Sequence, residues 1–373
     1  MTRLIHCFLC FSLCFFMVIT VGCGGSDSNN SDVSLETMIG QMTLVGFRGT
    51  DPNEDWPRLI VQQLETGHLG GVVFYRFNIV NQPQVEALTQ AIGQARAPYP
   101  VLVSLDQEGG KVQRLNSTNG FKDFLSAQEV AEQMTPGQAL DYYSDLAAMV
   151  KQAGFNLNFA PVVDLNRNLE SPAIGKLERS FGADPGQVIA YASVVITAHH
   201  SQGVLCTLKH FPGHGSATGD THLGFVDVTD TWMPIELEPF FRLSGPGGAD
   251  MVMVAHTFNR NLDLVYPASL SPQVIDGLLR QTGLYDGVVI SDDLQMGAIA
   301  QFFDLETVIV QAVNAGNDIL LFSNYFAPDP LIPDRVKDTL ISAVADGRVS
   351  LDRIRKSFAR IIKAKAGLMA RPG

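Results

Sequence analysis

Three stretches of this chain concentrate residue types that do chemistry. The richest is KHFPGHGSATGDTH, residues 209–222, which gathers Lys209, His210, His214, Asp220 and His222. His210 and His214 have the i, i+4 spacing of a helical zinc site, but Pro212 and Gly213 lie between them, so no helix can align the rings. No Glu beside His210 offers a base, and no metal is expected. Asp220-x-His222 reads differently. In extended backbone, residues i and i+2 point the same way, which lets the carboxylate bond the imidazole, fix its tautomer and raise its basicity. Such a pair suits a general acid/base near neutral pH. The spacing also allows a plainer reading, a surface loop with two unrelated polar residues.

The second stretch is Ser291-Asp292-Asp293-Leu294, two carboxylates closing an apolar run. Alternation along a strand turns them to opposite sides, so one faces any central cavity. A carboxylate there is the kind of nucleophile that attacks an anomeric carbon. The other is free to cap the segment that follows. In the third stretch, DQEGGKVQRL (106–115), adjacent glycines let backbone approach a ligand, and Asp106 and Arg114 are suited to gripping hydroxyls. A tight turn with solvated charges is the alternative. Asp164-Leu165-Asn166-Arg167-Asn168 imitates a calcium loop, but Leu169 stands where Gly is needed and Gly175 where the bidentate Glu belongs.

These residues sit at the ends of short apolar runs. The runs are 44–47, 71–75, 101–106, 157–164, 204–210, 251–256, 288–293 and 318–322, and their continuous hydrophobicity fits parallel strands covered on both faces. Amphipathic segments alternate with them at 82–97, 136–153, 185–202, 272–282 and 305–315, and 351–366 closes the series. Several open with Pro and close on Gly. The pattern predicts one (β/α)8 barrel, an α/β TIM-like fold, over residues 34–373. A doubly wound open sheet would want a phosphate-binding Gly turn after its first strand, and Gly46-Phe47-Arg48-Gly49 is not one. Asp106, Asp164, Lys209, His210, His256, Asp292 and Asp293 all fall at carboxyl ends of strands, which a barrel gathers on one face.

Composition narrows the function. Of 373 residues 46% are hydrophobic, ample for a large core, and 26 Lys+Arg against 38 Asp+Glu give a net charge of −12. That balance argues against nucleic acid as a partner. Residues 1–22 carry one basic residue, Arg3, and a long apolar run, the layout of an export signal. They meet Val21-Gly22-Cys23-Gly24-Gly25, which resembles a bacterial lipobox, so Cys23 is expected to be acylated. The polar stretch to residue 33 reads as a flexible tether. No Asp follows Cys23, which favours the outer membrane, so a lipoprotein tethered on the periplasmic side is expected. An uncleaved anchor or simple secretion are the alternatives. Only Cys206 then remains, a buried small hydrophobe that leaves no disulfide or cysteine metal site.

Taken together, DQEGGKVQRL, APVVDLN, RSFGADP, KHFPGHG with its following Asp-x-His, and SDDLQM resemble glycoside hydrolase family 3, in that family's order, over residues 36–366. The Asp220-Thr221-His222 element is similar to the dyad of the β-N-acetylglucosaminidase branch. Other branches take their acid/base from a second domain, which is not expected after Gly373. The resemblance implies Asp292 as nucleophile, His222 as acid/base and Asp220 as its orienting partner. It assigns Asp106, Arg114, Arg179, Lys209 and His210 to sugar hydroxyls. Two extra residues precede Arg179, and Lys111 stands where Arg is common. The implied activity is a retaining exo-β-N-acetylhexosaminidase, a cofactor-free monomer acting on GlcNAc-containing oligosaccharides from peptidoglycan or chitin. A β-glucosidase or β-xylosidase on the same barrel, or a non-catalytic carbohydrate-binding lipoprotein, are the alternatives.

Overall fold

The computed structural model describes residues 33–370, and those from Ser34 onward form one compact unit. The expected export signal, Cys23 and most of the expected tether lie outside the described residues. Eight strands run through that unit. They are β1 (Thr43–Gly46), β2 (Gly71–Phe74), β3 (Leu102–Leu105), β4 (Leu157–Asn158), β5 (Leu205–Phe211), β6 (Met251–Val254), β7 (Val288–Ser291) and β8 (Leu320–Phe322). Every strand residue is buried, as expected for strands covered by helices outside and side chains within.

From β1 to β7 each strand pairs in parallel with the next, and β1 also pairs with β8. The remaining seam, between β7 and β8, is held by a bridge at Ile290 and Ile319. Leu294 N also donates to Leu321 O (2.9 Å), and Leu321 N to the Ser291 hydroxyl (3.1 Å). The sheet is thereby closed into a barrel, as the alternation of runs predicts. Phe47, Phe74 and Phe155 are buried and meet edge to face, at 5.1 Å between successive centroids. Each such buried ring contributes about 1.5–3 kcal/mol of hydrophobic stabilisation.

The fourth run is shorter than its hydrophobicity suggests. Regular pairing covers only Leu157–Asn158. Phe159 N still donates to Leu105 O (2.9 Å) and Ala160 O accepts from Thr207 N (3.0 Å), but Pro161 has no N–H to donate and breaks the ladder before the bridge of Val162 with Lys209. The segment 272–282 is also helical, but Gln273–Thr282 is wound as a π-helix. Among the described residues, six α-helices were not legible in the pattern. Leu35–Gln41, Ala127–Gln133, Glu238–Leu243 and Gly297–Ala300 are seven residues or fewer. Asp55–Glu65 and Ile332–Ala345 are longer but lack a side-chain N-cap, whereas Asn81, Thr135, Asp184 and Asp304 cap helices that the sequence announces.

Candidate active site

The carboxyl ends of the strands surround a cavity of about 470 Å³. Asp106, Arg114, Arg179, Lys209, His210, His222 and Asp292 all line it, although they come from five segments of the chain. Asp220 stands behind His222 rather than in the cavity wall.

The floor is a network of buried charge. Lys209, 1% exposed, places its ammonium 2.8 Å from Asp106 Oδ1 and 2.6 Å from Glu108 Oε1. Arg114 donates to the other oxygen of Asp106 at 2.9 Å. Arg179 grips Glu108 with two bonds of 2.8 Å, the bidentate geometry that suits a guanidinium. Arg179 follows the turn Gly175–Leu177, which Glu178 closes at φ 58°. Burial works against ionisation of Asp106, but Lys209 and Arg114 prevail and hold it well below the usual carboxylate range. Burial likewise opposes ionisation of Glu108, which Arg179 and Lys209 keep charged.

Asp164 organises the next layer. Fully buried, it accepts from His210 Nδ1 (2.7 Å), from His210 N (3.1 Å) and from His214 N (2.7 Å). A carboxylate only accepts, so Nδ1 of His210 carries a proton and Nε2 faces the Arg179 guanidinium at 3.2 Å. The segment that imitates a calcium loop is thus a histidine holder.

Asp292 and Asp293 follow the end of β7 and both border the cavity, but their partners differ. Asp293 turns into the barrel wall, where its carboxylate accepts from Ser323 N (2.8 Å), the Ser323 hydroxyl and Gln295 N (3.1 Å). Burial, helped by the charge of Asp292, pushes it up to about 6. Among the described residues Asp292 accepts only from Asp293 N, at 2.8 Å, and it lines the open cavity. Burial would raise its pKa, but the imidazoles of His256, His210 and His222 outweigh that and hold it below the usual value. His256 is itself fixed between Ser269 Oγ (2.6 Å) and the Asp293 carbonyl (2.8 Å).

His222 arrives on the loop after β5. Its Nδ1 lies 2.8 Å from Asp220 Oδ1, which also accepts the His222 backbone N–H at 3.0 Å. Nδ1 is therefore the protonated nitrogen facing Asp220, and Nε2 is left for proton exchange. Burial pulls the ring's pKa down, but the Asp220 hydrogen bond and the charges of Asp292 and Asp220 raise it above its ordinary value. The same bond draws Asp220 down to about 2. Of the two readings of Asp220-x-His222, the unrelated surface pair is excluded.

Sequence reasoning missed several residues in the cavity wall or behind it. Glu108 lies within a quoted motif, but nothing local shows that it pairs with a residue 71 positions away. Tyr75 follows β2, and burial pushes its phenol well above the usual range, leaving a neutral hydroxyl in the wall. Tyr325 and Phe326, after β8, carried no polar signal at all.

With this geometry in hand, comparison with known proteins is specific. Residues 34–364 match the glycosyl hydrolase family 3 N terminal domain. A beta-hexosaminidase of Xylella fastidiosa is 34% identical over 339 residues, covering 88% of this chain and 94% of its own length. The solved family 3 beta-N-acetylglucosaminidase of a Paenibacillus species superposes with a TM-score of 0.83 at 32% identity, over 91% of this chain and 64% of that one. A beta-N-acetylhexosaminidase from Beutenbergia cavernae gives 0.79 at 28% identity, over 90% of this chain and 100% of that chain. Barrel, cavity chemistry and relatives agree, and the chain belongs to glycoside hydrolase family 3.

Proposed function

We propose that this protein is a retaining exo-β-N-acetylhexosaminidase that removes terminal β-linked N-acetylglucosamine by double displacement. The observation that carries the reading is an ionised Asp292 and a dyad-held His222 on one cavity, each biased toward the protonation state the first step needs. In that step an Asp292 oxygen attacks the anomeric carbon. The bond to the leaving oxygen breaks as His222 Nε2 gives that oxygen its proton. Neutral His222 then takes a proton from water, whose oxygen attacks the same carbon and releases Asp292. Two inversions give net retention.

Imidazole becomes neutral after donating, where a carboxylic acid would become anionic and repel anions. Phosphate is therefore expected to compete with water for the glycosyl-enzyme. The paired charges of Asp106, Glu108, Lys209, Arg179 and Arg114 offer fixed donors and acceptors for the hydroxyls of the terminal sugar. The names of the relatives support N-acetylglucosamine as that sugar. Peptidoglycan or chitin fragments are the proposed source.

A panel of p-nitrophenyl β-glycosides tests the reading. The N-acetylglucosaminide is expected to turn over fastest, and a faster glucoside or xyloside would move the protein to another branch of the family. Binding without turnover of any glycoside would make it a carbohydrate-binding protein. The leader supports a second proposal, export and lipid anchoring through Cys23. Detergent-phase partitioning that survives Cys23→Ala would overturn it.

A further inference from the structure

One wall of the cavity is left over by the hydrolytic steps. Tyr325 and Phe326 line it while 47% and 52% exposed. Large rings left half in water at the mouth of a site call for an explanation.

The loop that presents them is built. Asn324, between Ser323 and Tyr325, adopts φ 52°, a left-handed conformation uncommon outside glycine. Its amide donates to Gly46 O at 2.8 Å and accepts from Asp329 N at 3.0 Å. Gly46 is required there, since a Cβ would lie 1.8 Å from Ser323 O. The Tyr325 carbonyl is held by Arg48 at 2.9 Å, and its N–H by the Ser323 hydroxyl at 3.0 Å. An unusual backbone conformation, held from both sides to aim side chains at solvent, is the form functional strain takes.

The rings also have an address. Phe326 lies 5.0 Å from Tyr325 and 6.3 Å from the His222 imidazole, centroid to centroid. A general acid must touch the leaving oxygen, so whatever is bonded to that oxygen emerges beside His222 and hence beside Phe326. The polar floor of Asp106, Lys209 and Arg179 takes a hydroxyl-rich ring. Tyr325 and Phe326 offer flat, electron-rich faces, which suit the C–H face of a second pyranose.

We propose that Tyr325 and Phe326 form the platform for the first aglycone sugar, so that the substrate is an oligosaccharide with a pyranose next to the scissile bond. The inference rests on the functional reading above and specifies the leaving-group side of the same site.

The test compares N,N′-diacetylchitobiose with methyl N-acetyl-β-glucosaminide. Both leave as poor alcohols and need His222 alike, so the ratio of their kcat/KM values isolates aglycone binding. In the Tyr325→Ala/Phe326→Ala enzyme the disaccharide-to-methyl ratio is expected to fall about tenfold or more, mainly through KM. Phe326→Leu, which keeps bulk but removes the ring, should lower the ratio in the same direction, and Phe326→Tyr should restore it. A ratio within about twofold of wild type in the double variant, with both substrates still cleaved, overturns the inference alone. A wild-type enzyme that cleaves neither substrate overturns the functional reading and the platform with it.

Discussion

The floor of the cavity and the flap that carries His222 solve opposite problems. On the floor, Asp106, Glu108, Lys209, Arg114 and Arg179 are drawn from three separate segments and pair with one another. Removing one partner strands a buried charge. On the flap, the Asp220–His222 pair is local, and its side chains stay 25% and 50% exposed. The flap touches the rest of the barrel through a few long bonds. His214 Nε2 lies 3.2 Å from the Thr221 hydroxyl, Ala298 N donates to Thr221 O at 3.2 Å, and Gly297 N to His222 O at 3.4 Å. Groups that orient a sugar are best immobile and dry. A group that exchanges protons with a leaving alcohol and then with water needs access to both.

Four substitutions bear on that contrast. The largest effect is expected at Asp292, which belongs to neither region but reacts between them. Asp292→Asn should lower turnover on the order of 10³-fold or more while the melting temperature stays near wild type. Near-normal turnover would remove it as nucleophile. His222→Ala comes next. It should cost about 10²–10⁴-fold on alkyl glycosides and far less on dinitrophenyl glycosides, whose leaving groups need no proton. Equal losses on both substrates would mean that His222 acts otherwise than as an acid.

The floor should respond in stability instead. Glu108→Ala leaves Lys209 and Arg179 short of their shared carboxylate and should cost about 3–5 kcal/mol in denaturant unfolding, whereas His222→Ala should cost little. Similar destabilisation in the two variants would erase the distinction between floor and flap. The smallest effect is a displaced pH profile. Activity needs anionic Asp292 and protonated His222, so the acid limb of kcat/KM should lie below pH 3.8 and the alkaline limb above 6.5, following the lowered and raised pKa values. Asp220→Asn removes the charge that favours the imidazolium, so the alkaline limb should move to lower pH with the acid limb in place. An unmoved alkaline limb would deny Asp220 its role.

Legibility followed the range of the interaction. Seven of the eight runs gave strands within a residue or two of the expected bounds, because unbroken apolar β-branched stretches report burial on both faces. The run at 157–164 failed because a hydrophobic pattern says nothing about a missing donor at Pro161. Helices with Asn, Asp or Thr caps could be read, while uncapped Asp55–Glu65 and Ile332–Ala345 could not.

The sequence by itself determined the alternation of strands and helices, the polar residues at the strand ends, and the spacing that lets Asp220 meet His222. Each follows from residue types and backbone periodicity over a few positions. Only the tertiary structure decided that Glu108 joins Lys209 to Arg179, that Asp164 holds both His210 and His214, and that Phe326 stands beside a histidine more than a hundred positions earlier. Those neighbours are set by the closure of the barrel, where the order and tilt of eight strands bring together side chains that no local spacing connects.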